Sequence, residues 1–234
     1  MISNYISLTI IYIKSIFKKK DRGFVNATIS NAKYLLNTFF KKNHIFIHIN
    51  KTGGSSIAKA LGDTEQVHLT AYTIKNFMGT KAFNNNYKFT FVRNPYDRVV
   101  SQYFYRLQHN QTNLKSNQIS FKDWIRACYV DKKEEYYNFP AMFQNQLDWI
   151  TDREGNLLVD FIGKFETIND DFETVCNNLN IKERTLKHER SSSRNKDFLS
   201  YYDDESLKTI SEIFKKDFEY FGYKIVSSTK NDIA

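Results

Sequence analysis

An α/β fold, with helices on the faces of a central parallel sheet, is predicted for this 234-residue chain from two features of its sequence. Three short apolar runs have strand length: "HIFIHI" at 44 to 49, "YKFTFV" at 87 to 92 and "LLVDFIGKF" at 157 to 165. Between them lie stretches whose apolar residues recur at helical spacing, and strands alternating with helices make a parallel sheet. A hydrophobic content of 41% with 16% aromatics gives a packed globule, and two prolines leave no room for a proline-rich linker. The length suits one domain or at most two small ones.

Residues 1 to 42 read as a separate helical segment. Its stretch "YISLTIIYIKSIFKKK" is interrupted by Lys14 and falls short of the roughly twenty apolar residues a membrane span needs. It also lacks the basic start and small-residue cleavage site of a secretory signal. Ile6, Ile10, Ile13 and Phe17 share one helical face, followed by Lys18, Lys19 and Lys20. Such a helix either lies on an anionic membrane or packs on the domain, and both readings stand. On a membrane, the lysines would hold the rest of the chain in the cytoplasm.

The domain is expected over residues 43 to 226, preceded by an apolar patch at Tyr34, Leu35, Leu36, Phe39 and Phe40. After the first strand, Ser55 or Ser56 is the expected N-cap of a helix with Ile57, Ala60 and Leu61 inside and Gly62 as its stop. After the second, Pro95 behind a capping Asn94 opens a helix with Tyr96, Val99, Val100, Tyr103, Phe104 and Leu107 on one face. Residues 108 to 156 are polar, with a helix expected around Phe121 to Tyr129. The third strand leads into a helix with Ile168, Phe172, Val175, Cys176 and Leu179 inside. A basic loop, "KHERSSSRNK", then precedes a last helix bearing Leu207, Ile210, Phe214 and Phe218, and 227 to 234 form a frayed tail.

The net charge of +8 favours an anionic partner without saying which. Two cysteines, with no CxxC and no Cys/His cluster, make neither a disulfide framework nor a zinc site and fit a reducing compartment. No residue pattern calls for a metal. The informative stretch is "FIHINKTGGSSIAKALG" at 46 to 62, where a strand, a tight turn and a helix start make an anion cradle. Gly53 and Gly54 let the backbone approach a ligand, Lys51 adds a charge, and Thr52, Ser55 and Ser56 add hydroxyls. In the nucleotide-binding pattern G-x-x-x-x-G-K-[ST] the lysine follows the glycines, whereas Lys51 precedes them, and G-x-G-x-x-G is missing. An ATPase or dehydrogenase is therefore disfavoured. In "FVRNPYDRVVSQY", at 91 to 103, Arg93 ends the strand and Ser101 shares a helical face with Asn94. That pairing suits a second phosphate; otherwise Arg93 pairs with Asp97 and Ser101 is merely exposed.

The two motifs together resemble a sulfotransferase that uses 3′-phosphoadenosine-5′-phosphosulfate (PAPS), of the family 2-like group containing Golgi carbohydrate sulfotransferases and bacterial relatives. Its motif H-I-P-K-T-G-G-[ST]-S reads here "HINKTGGSS", with Asn50 at the usual proline, a change bearing on loop rigidity. Its R-[ND]-P-x-x-R-x-x-S reads "RNPYDRVVS". The likeness extends through 157 to 181 to the closing "YYDDESLKTISEIFKKDFEYFGY". It implies a three-layer, P-loop-like sulfotransferase fold. It also implies PAPS as donor, held at its phosphosulfate by Lys51, Thr52, Gly53, Gly54, Ser55 and Ser56, and at its 3′-phosphate by Arg93 and Ser101. Adenosine 3′,5′-bisphosphate would leave. His68, in "VHLTAY", matches the family's histidine base, and Lys51 would stabilise charge on the leaving phosphate. "SSSRNK" stands where the family often has a cofactor-closing loop, so Ser192 and Arg194 either touch the donor or lie in an exposed loop. Arg98 reads as a solvated helix charge. Gln144, Tyr137 and Trp149 are placed toward an acceptor sugar by location and side-chain type. The acceptor implied is a carbohydrate hydroxyl, and a membrane-facing helix would suit a surface-glycan precursor. A nucleotide-dependent kinase is the rival enzyme. A basic polyanion-binding or nucleic-acid-binding module is the non-catalytic rival, but it would spread its charge over one face rather than into two short loops.

Overall fold

The computed structural model describes residues 34–35, 43–62, 67–182, 186 and 194–226. The readings placed on Ser192, on most of residues 1 to 42 and on the tail from 227 lie outside these residues.

Three strands form a parallel sheet in the order β1 (His44–Ile47), β2 (Tyr87–Val92), β3 (Phe161–Lys164). His44 stands opposite Tyr87, and Phe89 opposite Phe161. Between β1 and β2 run α1 (Gly54–Ala60), α2 (Ala71–Met78) and α3 (Thr80–Asn84). Helix α4 (Pro95–Gln108) leaves the end of β2, with Pro95 first and the Asn94 side chain accepting from Tyr96 N at 3.0 Å. Helix α5 (Phe121–Ile125) continues as a π-helical turn, Arg126–Val130. After β3 come α6 (Ile168–Asn178), α7 (Asp204–Ile213) and α8 (Lys215–Phe221).

The side-chain period of two divides the sheet between two cores. Phe46, Phe89 and Phe91 pack with Ile57 and Ala58 of α1 and Phe172, Val175 and Cys176 of α6. Ile45, Ile47 and Val92 face the other way, onto Ala71, Ile74 and Met78 of α2 and onto Trp149 and Phe221. Helices thus cover both faces, which is why the strands read as nearly unbroken apolar runs. A third core joins Tyr96, Val99, Val100 and Tyr103 of α4 to Trp124, Phe143 and the α7–α8 residues Leu207, Ile210, Phe214 and Phe218. Tyr34 and Leu35 are buried in the second core, and the Tyr34 hydroxyl donates to Phe46 O at 2.8 Å. This piece of the amino-terminal segment packs on the domain. Among the described residues no helix is long and apolar enough to cross a membrane.

Three expectations are corrected. The first helix is capped by Gly53 in the left-handed conformation, at φ 82°, so Ser55 and Ser56 lie inside its first turn rather than at its N-cap. The third strand begins only at Phe161, because Leu157 pairs antiparallel with Thr151 and the Asp160 carboxylate receives Lys88 N at 2.8 Å. The last helix breaks at Phe214, where ψ reaches 20°, and the break keeps Phe214, Phe218 and Asp217 all buried.

Candidate functional site

The turn from β1 into α1 is built to hold a tight shape. Lys51 sits at φ 67°, in the left-handed region that a non-glycine residue adopts only when its surroundings enforce it. Arg93 Nη1 donates to the Lys51 carbonyl at 3.1 Å, and the Thr52 hydroxyl donates to Ile49 O at 2.9 Å. Thr52 is fully buried, so its side chain braces the turn and is not offered to a ligand, contrary to expectation. Asn50 replaces the rigidity of a proline with hydrogen bonds. Its Oδ1 accepts from Arg98 Nη2 at 3.2 Å and its Nδ2 donates to Met142 O at 3.2 Å.

Gly54 has a different purpose from Gly53. A Cβ at Gly54 would overlap the ring of His48, which lies against the backbone there. The His48 ring is also held by its neighbours, stacked on the Phe46 ring at 5.4 Å and tilted against that of His68 at 4.4 Å. Gly54→Ala is therefore expected to force the ring aside and cost about 1–3 kcal/mol of stability, read as a lower thermal midpoint.

The second motif meets the first through Arg93, which is buried. Its guanidinium lies 3.8 Å from the Phe165 ring centroid and bonds Asp97 twice at 2.7 Å. Burial lowers the Arg93 pKa, and the nearby Asp97 carboxylate opposes that effect. Asp97 also takes Arg194 Nη2 at 2.5 Å, bringing a residue of the basic loop beside the motif. Arg93 pairs with Asp97, as one of the two sequence readings expects, and it also lines the site's cavity.

Lys51, Gly53, Gly54, Ser55 and Ser56 form one wall of a cavity of about 940 Å³. Arg93, Asp97, Ser101 and Arg194 form another, and His48 and His68 also line it. Both motifs thus open on one space. The Lys51 ammonium rests 3.9 Å from the Tyr105 ring centroid. His68 Nδ1 lies 2.8 Å from the His48 carbonyl oxygen. A carbonyl only accepts, so Nδ1 carries the proton and the lone pair is on Nε2. Burial, more than any charge, holds the His68 pKa below 6.5; the bond to His48 opposes it, and Lys51 adds a smaller lowering.

The proposed acceptor contacts do not reach this cavity. Trp149 is 0% exposed and meets His68 edge-on with centroids 6.2 Å apart, supporting the histidine from behind. Tyr137 packs on Phe143, and Gln144 offers its carbonyl to Arg98 at 3.1 Å. Gln102, Tyr105, Arg106, Asn138 and Phe139 line the cavity in their place. The signal was present in α4, since 105 follows Ser101 by one helical turn and 106 follows Gln102 likewise. Arg98 is not a solvated charge but 1% exposed, between Asn50 and Asp217.

Two further residues, missed in the sequence, place the second motif. Gln146 clasps Arg93 by both backbone groups, its Oε1 accepting from N at 2.9 Å and its Nε2 donating to O at 2.8 Å. Asp217, 0% exposed, takes Gln146 N at 2.8 Å and Leu147 N at 3.0 Å and faces Arg98 at 3.9 Å. Burial raises its pKa, against the pull of Arg98 and these donors. Asp217→Ala would strand a buried guanidinium and two amides, and is expected to cost about 3–5 kcal/mol in denaturant unfolding.

A family model described as "Sulfotransferase family" matches residues 28–224. Among curated proteins, an "Uncharacterized protein" of Archaeoglobus fulgidus is 29% identical over 115 residues, which cover 49% of this chain and 85% of that protein. No solved structure matches the chain.

Proposed function

The chain belongs to the sulfotransferase family, and from that premise we propose that it transfers the sulfuryl group of PAPS to a carbohydrate hydroxyl, with His68 as general base. One observation carries the proposal: the glycine turn and the Arg93–Arg194 pair line the same cavity. A donor with a phosphosulfate at one end and a 3′-phosphate at the other needs two anion sites within its own length. The charge count on the second wall fits a phosphate. Asp97 offsets one of two guanidinium groups, and the buried Arg194 Nη1 has no hydrogen-bond partner among the described residues. A cavity of this size also leaves room for an acceptor beside a nucleotide.

The donor supplies the sulfuryl group and departs as adenosine 3′,5′-bisphosphate. His68 takes the acceptor's hydroxyl proton on Nε2 as the new oxygen–sulfur bond forms, the tautomer being held by the His48 carbonyl. Lys51 rests on Tyr105 at the mouth of the turn, within the same cavity, where its charge can offset that growing on the leaving phosphate. Gln102, Asn138 and the exposed ring of Phe139 offer the amides and aromatic face that sugars use. Incubation with labelled PAPS and a panel of glycans, followed by mass spectrometry of the products, tests the proposal. Label on a sugar hydroxyl supports it. A protein whose melting temperature responds equally to adenosine 3′,5′-bisphosphate, adenosine 5′-phosphate and ATP would contradict it.

A further inference from the structure

Helix α4 turns two stripes into the cavity. Asp97, Ser101 and Tyr105 line it at four-residue spacing on the side of Lys51 and Arg93, and of the next stripe Gln102 and Arg106 line it while Arg98 is buried outside it. The second stripe ends in an unbalanced charge. Arg93 has Asp97 and Arg98 has Asp217, but Arg106 has no carboxylate partner among the described residues. It is only 5% exposed. Its contacts are neutral: Tyr136 O at 3.1 Å, Asn138 Oδ1 at 2.9 Å, Asn138 O at 3.5 Å and the Phe143 ring at 4.8 Å. Burying a guanidinium without a counter-charge is costly; the three oxygen acceptors offset part of that cost, and an anion would offset the rest. One turn away, Gln102 is 3% exposed. Its Oε1 accepts from Asn50 Nδ2 at 3.4 Å and from the Tyr129 hydroxyl at 3.5 Å, but its Nε2 is buried without a partner among the described residues. A donor without a partner and a cation without a counter-charge thus lie one helical turn apart on the cavity wall, on the stripe beside that of Ser101.

We propose that Arg106 and Gln102 form a subsite for an anionic substituent of the acceptor, so that the enzyme selects a negatively charged sugar over a neutral one. The substituent is either a ring carboxylate, as in a uronic acid, or the ester anion of a sugar already sulfated or phosphorylated. Either offers oxygens that accept from both groups. This rests on the sulfotransferase reading and adds to it the class of acceptor.

The test uses the full chain saturated with adenosine 3′,5′-bisphosphate, with sugar binding followed by saturation-transfer NMR. The probes are methyl β-glucuronide, galactose 6-sulfate, glucose 6-phosphate and the neutral methyl β-glucoside. At least one anionic probe should bind about tenfold or more tightly than the glucoside, and the carboxylate and ester arms identify the source of charge. Gln102→Glu supplies a carboxylate four residues from Arg106, so it should raise the thermal midpoint and bring the preference below about twofold. Arg106→Gln should also remove the preference. The inference fails if no anionic sugar binds better than the glucoside, or if the preference survives in Gln102→Glu. Failure of the bisphosphate itself to bind is a separate result, and it would overturn the donor reading from which this one follows.

Discussion

Arg93→Ala is expected to lower affinity for adenosine 3′,5′-bisphosphate at least about 100-fold in isothermal titration, while affinity for adenosine 5′-phosphate changes by less than about threefold. The size follows from what Arg93 is: a buried guanidinium whose loss removes charge-assisted hydrogen bonds worth about 2–5 kcal/mol. The selectivity follows from the cluster around it. With Arg93 gone, Asp97 keeps Arg194 at 2.5 Å, so no carboxylate is stranded, but the wall falls from one net positive charge to none. A dianionic phosphate then meets a neutral site. The glycine turn loses one brace, the bond from Arg93 to the Lys51 carbonyl, and keeps those from Thr52 to Ile49 and from Asn50 to Met142. A parallel loss for both nucleotides would mean that Arg93 acts only by shaping the turn. An unchanged bisphosphate affinity would remove the 3′-phosphate from this wall.

The parts of this architecture that could be read from the sequence are those governed by local rules. β2 and the start of α4 fall where the apolar run, Asn94 and Pro95 put them, because strand period, cap and proline each act within a few residues. The positive φ of Gly53 was legible for the same reason, since it arises within one turn. The missing Cβ of Gly54 was read as room for a ligand, whereas it makes room for the His48 ring. What failed needed knowledge of neighbours distant in sequence. Arg98 looked solvated because its partners, Asn50 and Asp217, lie on other elements. Gln146 looked like one polar residue among many, and its clasp on Arg93 depends on a contact 53 residues away in the chain. Trp149 was read as an acceptor contact from its type and position, but only the packing of the second core shows that it backs His68. Sequence thus disclosed the two motifs that line the cavity better than the residues that hold them in place.

His68→Asn should lower kcat about 10²–10⁴-fold while adenosine 3′,5′-bisphosphate binds within about threefold of the parent protein. Asparagine is the informative replacement because its amide can still donate to the His48 carbonyl, as Nδ1 does at 2.8 Å, yet provides no base. His68→Ala tests the same step without that donor, and agreement between the two separates lost chemistry from lost packing against Trp149. The pH profile is a second, independent reading. Burial lowers the His68 pKa, so the imidazole stays neutral as the pH falls through 6.5 and protonates only below it. The acid limb of kcat/KM, which reports the free enzyme, should therefore be centred below 6.5. In His68→Asn the residual rate should lose that limb altogether. A limb at or above 6.5 in the parent protein, or one that persists in the variant, would assign the proton to another group. His48 would be the first to test, since its ring lies 4.4 Å from that of His68 and lines the same cavity.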